Sequence, residues 1–179
     1  MITVVDVETS WQVTDTGGYD PSPYHPDNIL VSVGINDEYY FTNHSERIDD
    51  GCYHNIQSIL DKTTLLVGHN IKFDLMWLIE AGFKYTGKVY DTMLGEYILN
   101  RGIRKSLTLE MSCRRRRIGS KDNRIKEFTD RGIPFQNIPA NVVEEYGRMD
   151  VQITRDLFNS QMADFRMPKN KHLLMTAKM

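Results

Sequence analysis

The chain opens on an apolar run that ends against two acids, Met1-Ile-Thr-Val-Val-Asp6-Val-Glu8-Thr9. Its β-branched residues read as a strand, and a strand alternates its faces, so Asp6 and Glu8 project to one side and Val5 and Val7 to the other. Neighbouring carboxylates repel, and they coexist when a cation lies between them or one keeps its proton. Mg²⁺ and Mn²⁺, hard ions that prefer oxygen ligands, suit that place. The alternative is a strand running out into a polar turn, with both acids at its solvated end.

Such a strand needs a sheet and helices around it, and 179 residues suffice for one domain with a substantial core. At 40% hydrophobic and 26% charged, the composition is that of a globular protein. No apolar stretch approaches the ~20 residues of a membrane span. The N-terminal residues show no basic segment, apolar segment or cleavage site of a secretory leader, so a cytoplasmic location is expected. Cys52 and Cys113 lack metal or redox spacing and are too few for a disulfide framework, so both read as reduced and structural. A formal charge of -2 argues against a nucleic-acid partner only as an average. Arg101, Arg104, Lys105 and Arg114 to Arg117 form a basic stretch opposed only by Glu110. It is either a solvated helix face or a phosphate contact.

Beyond the acidic strand, the Gly- and Pro-rich stretch 12–27 reads as a surface loop. Asn28 to Gly34 and Glu38 to Phe41 read as two further strands of a meander, with a hairpin turn at Asn36-Asp37. Helical spacing follows over 50–61, then a buried strand at Thr64 to Val67. Asn70 is placed to N-cap a helix with Phe73, Met76, Trp77 and Leu78 as its apolar content, in which Asp74 is the odd residue out. Helical patterns recur at 91–100 and from Ser106, residues 118–138 are mixed, and Pro139 opens a long final helix. On that helix Tyr146 and Asp150 share a face one turn apart.

These segments together supply four carboxylates and a tyrosine: Asp6-Val-Glu8, Asn70-Ile-Lys-Phe-Asp74 and Tyr146-Gly-Arg-Met-Asp150. In this order they resemble the DEDD (DnaQ-like) superfamily of 3′–5′ exonucleases in its tyrosine-bearing subclass. The histidine-bearing subclass would place His where this chain has Glu145. The resemblance is closer to the proofreading domain of family A, polymerase I-like, DNA polymerases. Gly68-His-Asn-Ile-Lys-Phe-Asp74, Tyr90-Asp-Thr-Met-Leu-Gly-Glu-Tyr-Ile-Leu99, Ser106-Leu-Thr-Leu and Ile138-Pro-Ala stand in the order of that domain.

What the resemblance implies is an α/β ribonuclease H-like fold, a mixed five-stranded sheet with flanking helices, over residues 1–165. It implies two divalent cations, Mg²⁺ or Mn²⁺, held by Asp6, Glu8, Asp74 and Asp150, with Tyr146 orienting the attacking water. It places Thr9 near the terminal 3′-hydroxyl, Asn70 and Phe73 against the terminal nucleotides, and Asp91 behind the ligands. Phe73 and Tyr90 fit core packing equally well. Arg114, Arg115, Arg116 and Arg117 are expected on phosphates, as a run too dense to be buried. Where the polymerase I-type pattern has an apolar wedge this chain reads Ser10-Trp11-Gln12, so Trp11 could stack in its stead. The expected activity is proofreading of single-stranded DNA 3′ ends by a monomer, of bacteriophage type, working with a DNA polymerase domain or subunit. A ribonuclease D-like exoribonuclease would carry the same five residues. The apolar pattern over 166–179 is expected to begin a following polymerase segment or docking helix.

Overall fold

Strand β1 (Ile2–Thr9) lies at the centre of the sheet in this computed structural model, which describes residues 1–119, 124–170 and 173. It pairs antiparallel with β4 (Leu30–Ile35), which turns through Asn36 and Asp37 into β5 (Glu38–Phe41). Asn36 takes a left-handed φ of 54°, which asparagine tolerates well. On its other side β1 pairs parallel with β6 (Leu65–Gly68), and β6 with β7 (Lys88–Asp91). The five-stranded order is β5-β4-β1-β6-β7, the mixed α/β arrangement expected. β7 escaped the residue pattern because two of its four side chains face outward at the sheet edge. The loop over 12–27 is more regular than expected, since β2 (Gln12–Val13) and β3 (Tyr19–Asp20) close a small hairpin.

Among the described residues, six helices flank the sheet: α1 (Cys52–Lys62), α2 (Ile71–Glu80), α3 (Thr92–Leu99), α4 (Leu109–Arg116), α5 (Arg124–Thr129) and α6 (Ala140–Arg166). Alternation along β1 divides the core. Val5 and Val7 pack with Ile56, Leu60, Trp77 and Leu78 of α1 and α2, whereas Val4 packs with Val67, Val151, Phe158 and Phe165 on the α6 side. Asp6 and Glu8 share the face of Val4 and therefore look toward α6. That helix lies close to the sheet at two glycines. A Cβ on Gly147 would lie 2.5 Å from the Tyr39 ring, and one on Gly34 would lie 2.8 Å from Val151.

Cys52 and Cys113 are both buried and unbridged. α6 ends at Arg166, a 3₁₀ turn follows at Pro168–Asn170, and Leu173 packs against the cluster around Val4. Leu174 and Met175 of the apolar tail lie outside the described residues, as do 120–123 of the mixed segment.

Candidate active site

Three carboxylates from the two ends of the chain meet where α6 crosses β1. Asp6, Glu8 and Asp150 each present an oxygen, and these atoms lie within 4.8 Å of one another. Glu8 and Asp150 are buried and Asp6 is half-buried. Like charges this close, taken largely out of water, are costly unless protons or cations neutralise them. An all-oxygen donor set of three acids is the chemistry of a hard divalent ion, so these residues fit the metal site that the sequence implied.

Asp74 is reached differently. Pairing between β1 and β6 runs only as far as Val4 and Val67, and beyond it the Val7 N–H donates to Asp74 Oδ1 at 3.1 Å. The first turn of α2 thus carries an acid to the edge of β1 next to Asp6. Burial, followed by the Asp6 charge, pushes the Asp74 carboxyl well above the usual carboxylate range. Asp74 therefore adjoins the three converging acids without being one of them, and an added cation would favour its ionised form.

Tyr146 stands one helical turn before Asp150, and the two side chains are hydrogen-bonded. Burial, reinforced by Glu8, Asp150 and Asp6, holds the phenol far above its ordinary value, so the hydroxyl keeps its proton. Gly147 is what lets this part of α6 approach, because Tyr39 fills the space a larger residue would need. Its signal in the sequence is a glycine inside a helix, a position that costs about 0.5–1 kcal/mol relative to alanine without some packing reason.

The expected substrate residues are placed unequally. Thr9 is buried at the end of β1, just past a register shift between Glu8 and Thr9. Asn70 precedes α2 in a left-handed conformation with φ 62°, and its side chain makes no capping bond, contrary to the N-cap expected. Its N–H donates instead to Asp91 Oδ1 at 3.0 Å, and the same carboxylate oxygen caps α3 through Met93 N–H at 2.8 Å. Phe73 is half-buried against the α1–α2 core, and Tyr90 is buried with its hydroxyl on Gln161 Oε1 at 3.0 Å. Trp11 meets Tyr19 and Phe135 edge-on.

The arginine run requires a correction. Arg116 donates to Glu96 Oε2 and to Asp164 Oδ2, both at 2.7 Å, and its side chain is only 12% exposed. Arg115 reaches Glu96 Oε1 at 3.3 Å and the Ser106 carbonyl at 2.7 Å. These two are turned inward because α3 and α6 bring acids to them, Glu96 being 2% exposed. Only Arg114 and Arg117 are exposed as expected for phosphate contact.

A family model described as a 3′–5′ exonuclease, of the DNA polymerase A type, matches residues 14–163, which take in Asp74, Tyr146 and Asp150. No curated protein matches the chain. Among solved structures, a nuclease in its apo form is similar with a TM-score of 0.65 at 15% identity, over 96% of this chain and 77% of that one. The POL domain of Pol1 from M. smegmatis, solved with DNA primer-template and dNTP, gives 0.62 at 15% identity, over 98% of this chain and 26% of that one. The catalytic core of RRP6 from Trypanosoma brucei gives 0.60 at 12% identity, over 99% and 45%. The chain thus spans about a quarter of the Pol1 structure and under half of the RRP6 core. At these identities the likenesses establish the fold, a ribonuclease H-like exonuclease fold.

Proposed function

Because the chain belongs to the 3′–5′ exonuclease family of the DNA polymerase A type, we propose that it removes mononucleotides from single-stranded DNA 3′ ends by metal-dependent hydrolysis. The observation that carries this reading is the meeting of Asp6, Glu8 and Asp150 oxygens within 4.8 Å. With Asp74 beside them, four acids balance two dications and leave room for the phosphate charge. Two such ions, Mg²⁺ or Mn²⁺, supply the positive charge that activates water and stabilises the leaving 3′-oxygen.

The remaining steps belong to side chains. Tyr146, protonated and tied to Asp150, orients the attacking water without ligating a metal. Thr9, Asn70 and Phe73 hold the terminal nucleotides, and Arg114 and Arg117 take backbone phosphates as exposed surface cations. We assign residues 1–165 to this unit and the segment after it to a connection with a polymerase domain or subunit, for which the activity would serve proofreading.

Cleavage of RNA is the second reading, favoured by the fold shared with the RRP6 core. The test compares single-stranded DNA and RNA of one sequence, 5′-labelled, with Mn²⁺ and with EDTA. Stepwise shortening of DNA that stops in EDTA is expected. Faster loss of RNA would replace the DNA assignment, and cleavage persisting in EDTA would overturn the metal mechanism.

A further inference from the structure

Tyr146 is reached from outside the acid cluster by a series of rings. Phe135 lies 6.1 Å from it at 54°, Trp11 lies 6.0 Å from Phe135 at 83°, and Tyr19 lies 5.6 Å from Trp11 at 86°. The two Trp11 pairs are edge-to-face and the Phe135–Tyr146 pair is tilted, both directional ring contacts. Trp11 follows the β1 acids by only a few residues, whereas Tyr146 stands on α6, so the series joins the two elements that must stay in register at the site.

Phe135 is itself held firmly. Its 3₁₀ turn, Phe135–Asn137, is gripped by the 44–46 loop, where Ser45 donates to the Gln136 carbonyl from both N–H (3.0 Å) and Oγ (2.6 Å). His44 Nδ1 accepts from Glu46 N–H at 3.1 Å, which leaves the proton on Nε2 to donate to the Ile138 carbonyl at 2.8 Å. Glu46 Oε2 accepts from Ala140 N–H at 2.8 Å and so caps α6, whose Pro139 offers no side-chain cap. These bonds secure the turn on which Phe135 is carried, and the half-buried ring packs against the cluster that contains Tyr146, Tyr39, Ile138 and Val143.

We propose that Phe135, backed by Trp11, is the positioning residue that holds the Tyr146 ring with its hydroxyl on Asp150 and the acid cluster. The inference rests on the reading of Tyr146 as the water-orienting residue. Loss of the ring removes the packing on one side of the phenol, which then has room to tilt toward the vacated space, while the carboxylates and Arg114 are untouched.

The test is a double-mutant cycle on single-stranded DNA with Mn²⁺, reading kcat, KM and the half-saturating Mn²⁺ concentration. Phe135→Ala is expected to lower kcat about 10- to 100-fold, the scale of a misplaced catalytic group. KM and Mn²⁺ dependence should stay within about two-fold, Phe135→Leu should recover much of the rate, and in the Tyr146→Phe background Phe135→Ala should cost almost nothing more. An equal loss in both backgrounds, or a raised KM at unchanged kcat, overturns the proposal. Should Phe135→Ala unfold, Trp11→Leu runs the same cycle, and equal losses in both backgrounds overturn it likewise. An unchanged rate in Tyr146→Phe alone overturns the role of the tyrosine and the positioning claim with it. A normal Tyr146→Phe loss without coupling overturns positioning alone.

Discussion

At the scale of single residues, the site separates groups that hold metal from the group that holds water. Asp150→Ala removes an acid from the 4.8 Å cluster, so both activity and Mn²⁺ affinity should be lost, the latter read by calorimetry. Tyr146→Phe keeps the ring and deletes the hydroxyl, so turnover should fall about 10²- to 10⁴-fold with Mn²⁺ affinity retained. Asp74 makes a prediction of opposite sign for stability. Its folded-state value is raised, by burial and by Asp6. The folded chain then holds that proton more tightly than the unfolded chain, and stability falls as pH climbs from about 4 through the raised folded-state value. Asp74→Asn keeps an acceptor for the Val7 N–H and cannot ionise. In EDTA it should therefore melt above wild type at pH 7, with the gap closing toward pH 4, although it is inactive.

Among the elements, α6 sets the geometry, because one helix carries Tyr146 and Asp150 and lies on the sheet at Gly34 and Gly147. In Gly147→Ala the added methyl meets the buried Tyr39 ring. Overpacking costs about 1–3 kcal/mol, against up to about 1 kcal/mol gained in helix propensity. Denaturant titration should show a net loss of stability, accompanied by slower cleavage as Tyr146 and Asp150 are displaced. Helix α4 divides its arginines by partner. Arg116→Gln leaves Glu96 and Asp164 without their shared cation, and breaking such a pair costs about 3–5 kcal/mol in buried sites. Arg115 still reaches Glu96, which places the expected loss at the low end. Arg114→Gln and Arg117→Gln should leave stability within about 0.5 kcal/mol and each reduce the salt slope of DNA binding by nearly one.

For the molecule as a whole, the acids that serve chemistry oppose folding, and metal is expected to reverse the balance. Cations that bind only the folded chain stabilise it by about 2.7 kcal/mol at 100 times Kd, or about 5–10 °C for a domain of this size. Differential scanning calorimetry with Mn²⁺ should show that rise in the wild type and lose it in Asp150→Ala. An equal rise in both proteins would place the ion elsewhere. The unit so stabilised is one sheet with helices on both faces, and β1 links every layer. It gives Val5 and Val7 to one core, Val4 to the other, and its two acids to the site between β1 and α6.

What the sequence by itself determined is what a short repeat can encode. A two-residue period put Asp6 and Glu8 on one face, a turn of helix put Tyr146 above Asp150, and apolar runs marked the β1, β4 and β6 regions, because those relations are local and survive in any packing. Tertiary structure decided the matters that depend on a distant partner. Arg114 to Arg117 form one uniform basic run in the sequence, yet Arg116 turns inward, since Asp164 comes from a helix that ends 50 positions along the chain from it. The depth of Asp74 depends on where β6 leaves off and frees the Val7 N–H. The close approach at Gly147 and the contact of Phe135 with Tyr146 rest on how α6 lies against β5 and the 44–46 loop. Charge and periodicity are properties of a segment, whereas the fate of a charge or a ring depends on which segments fold against it.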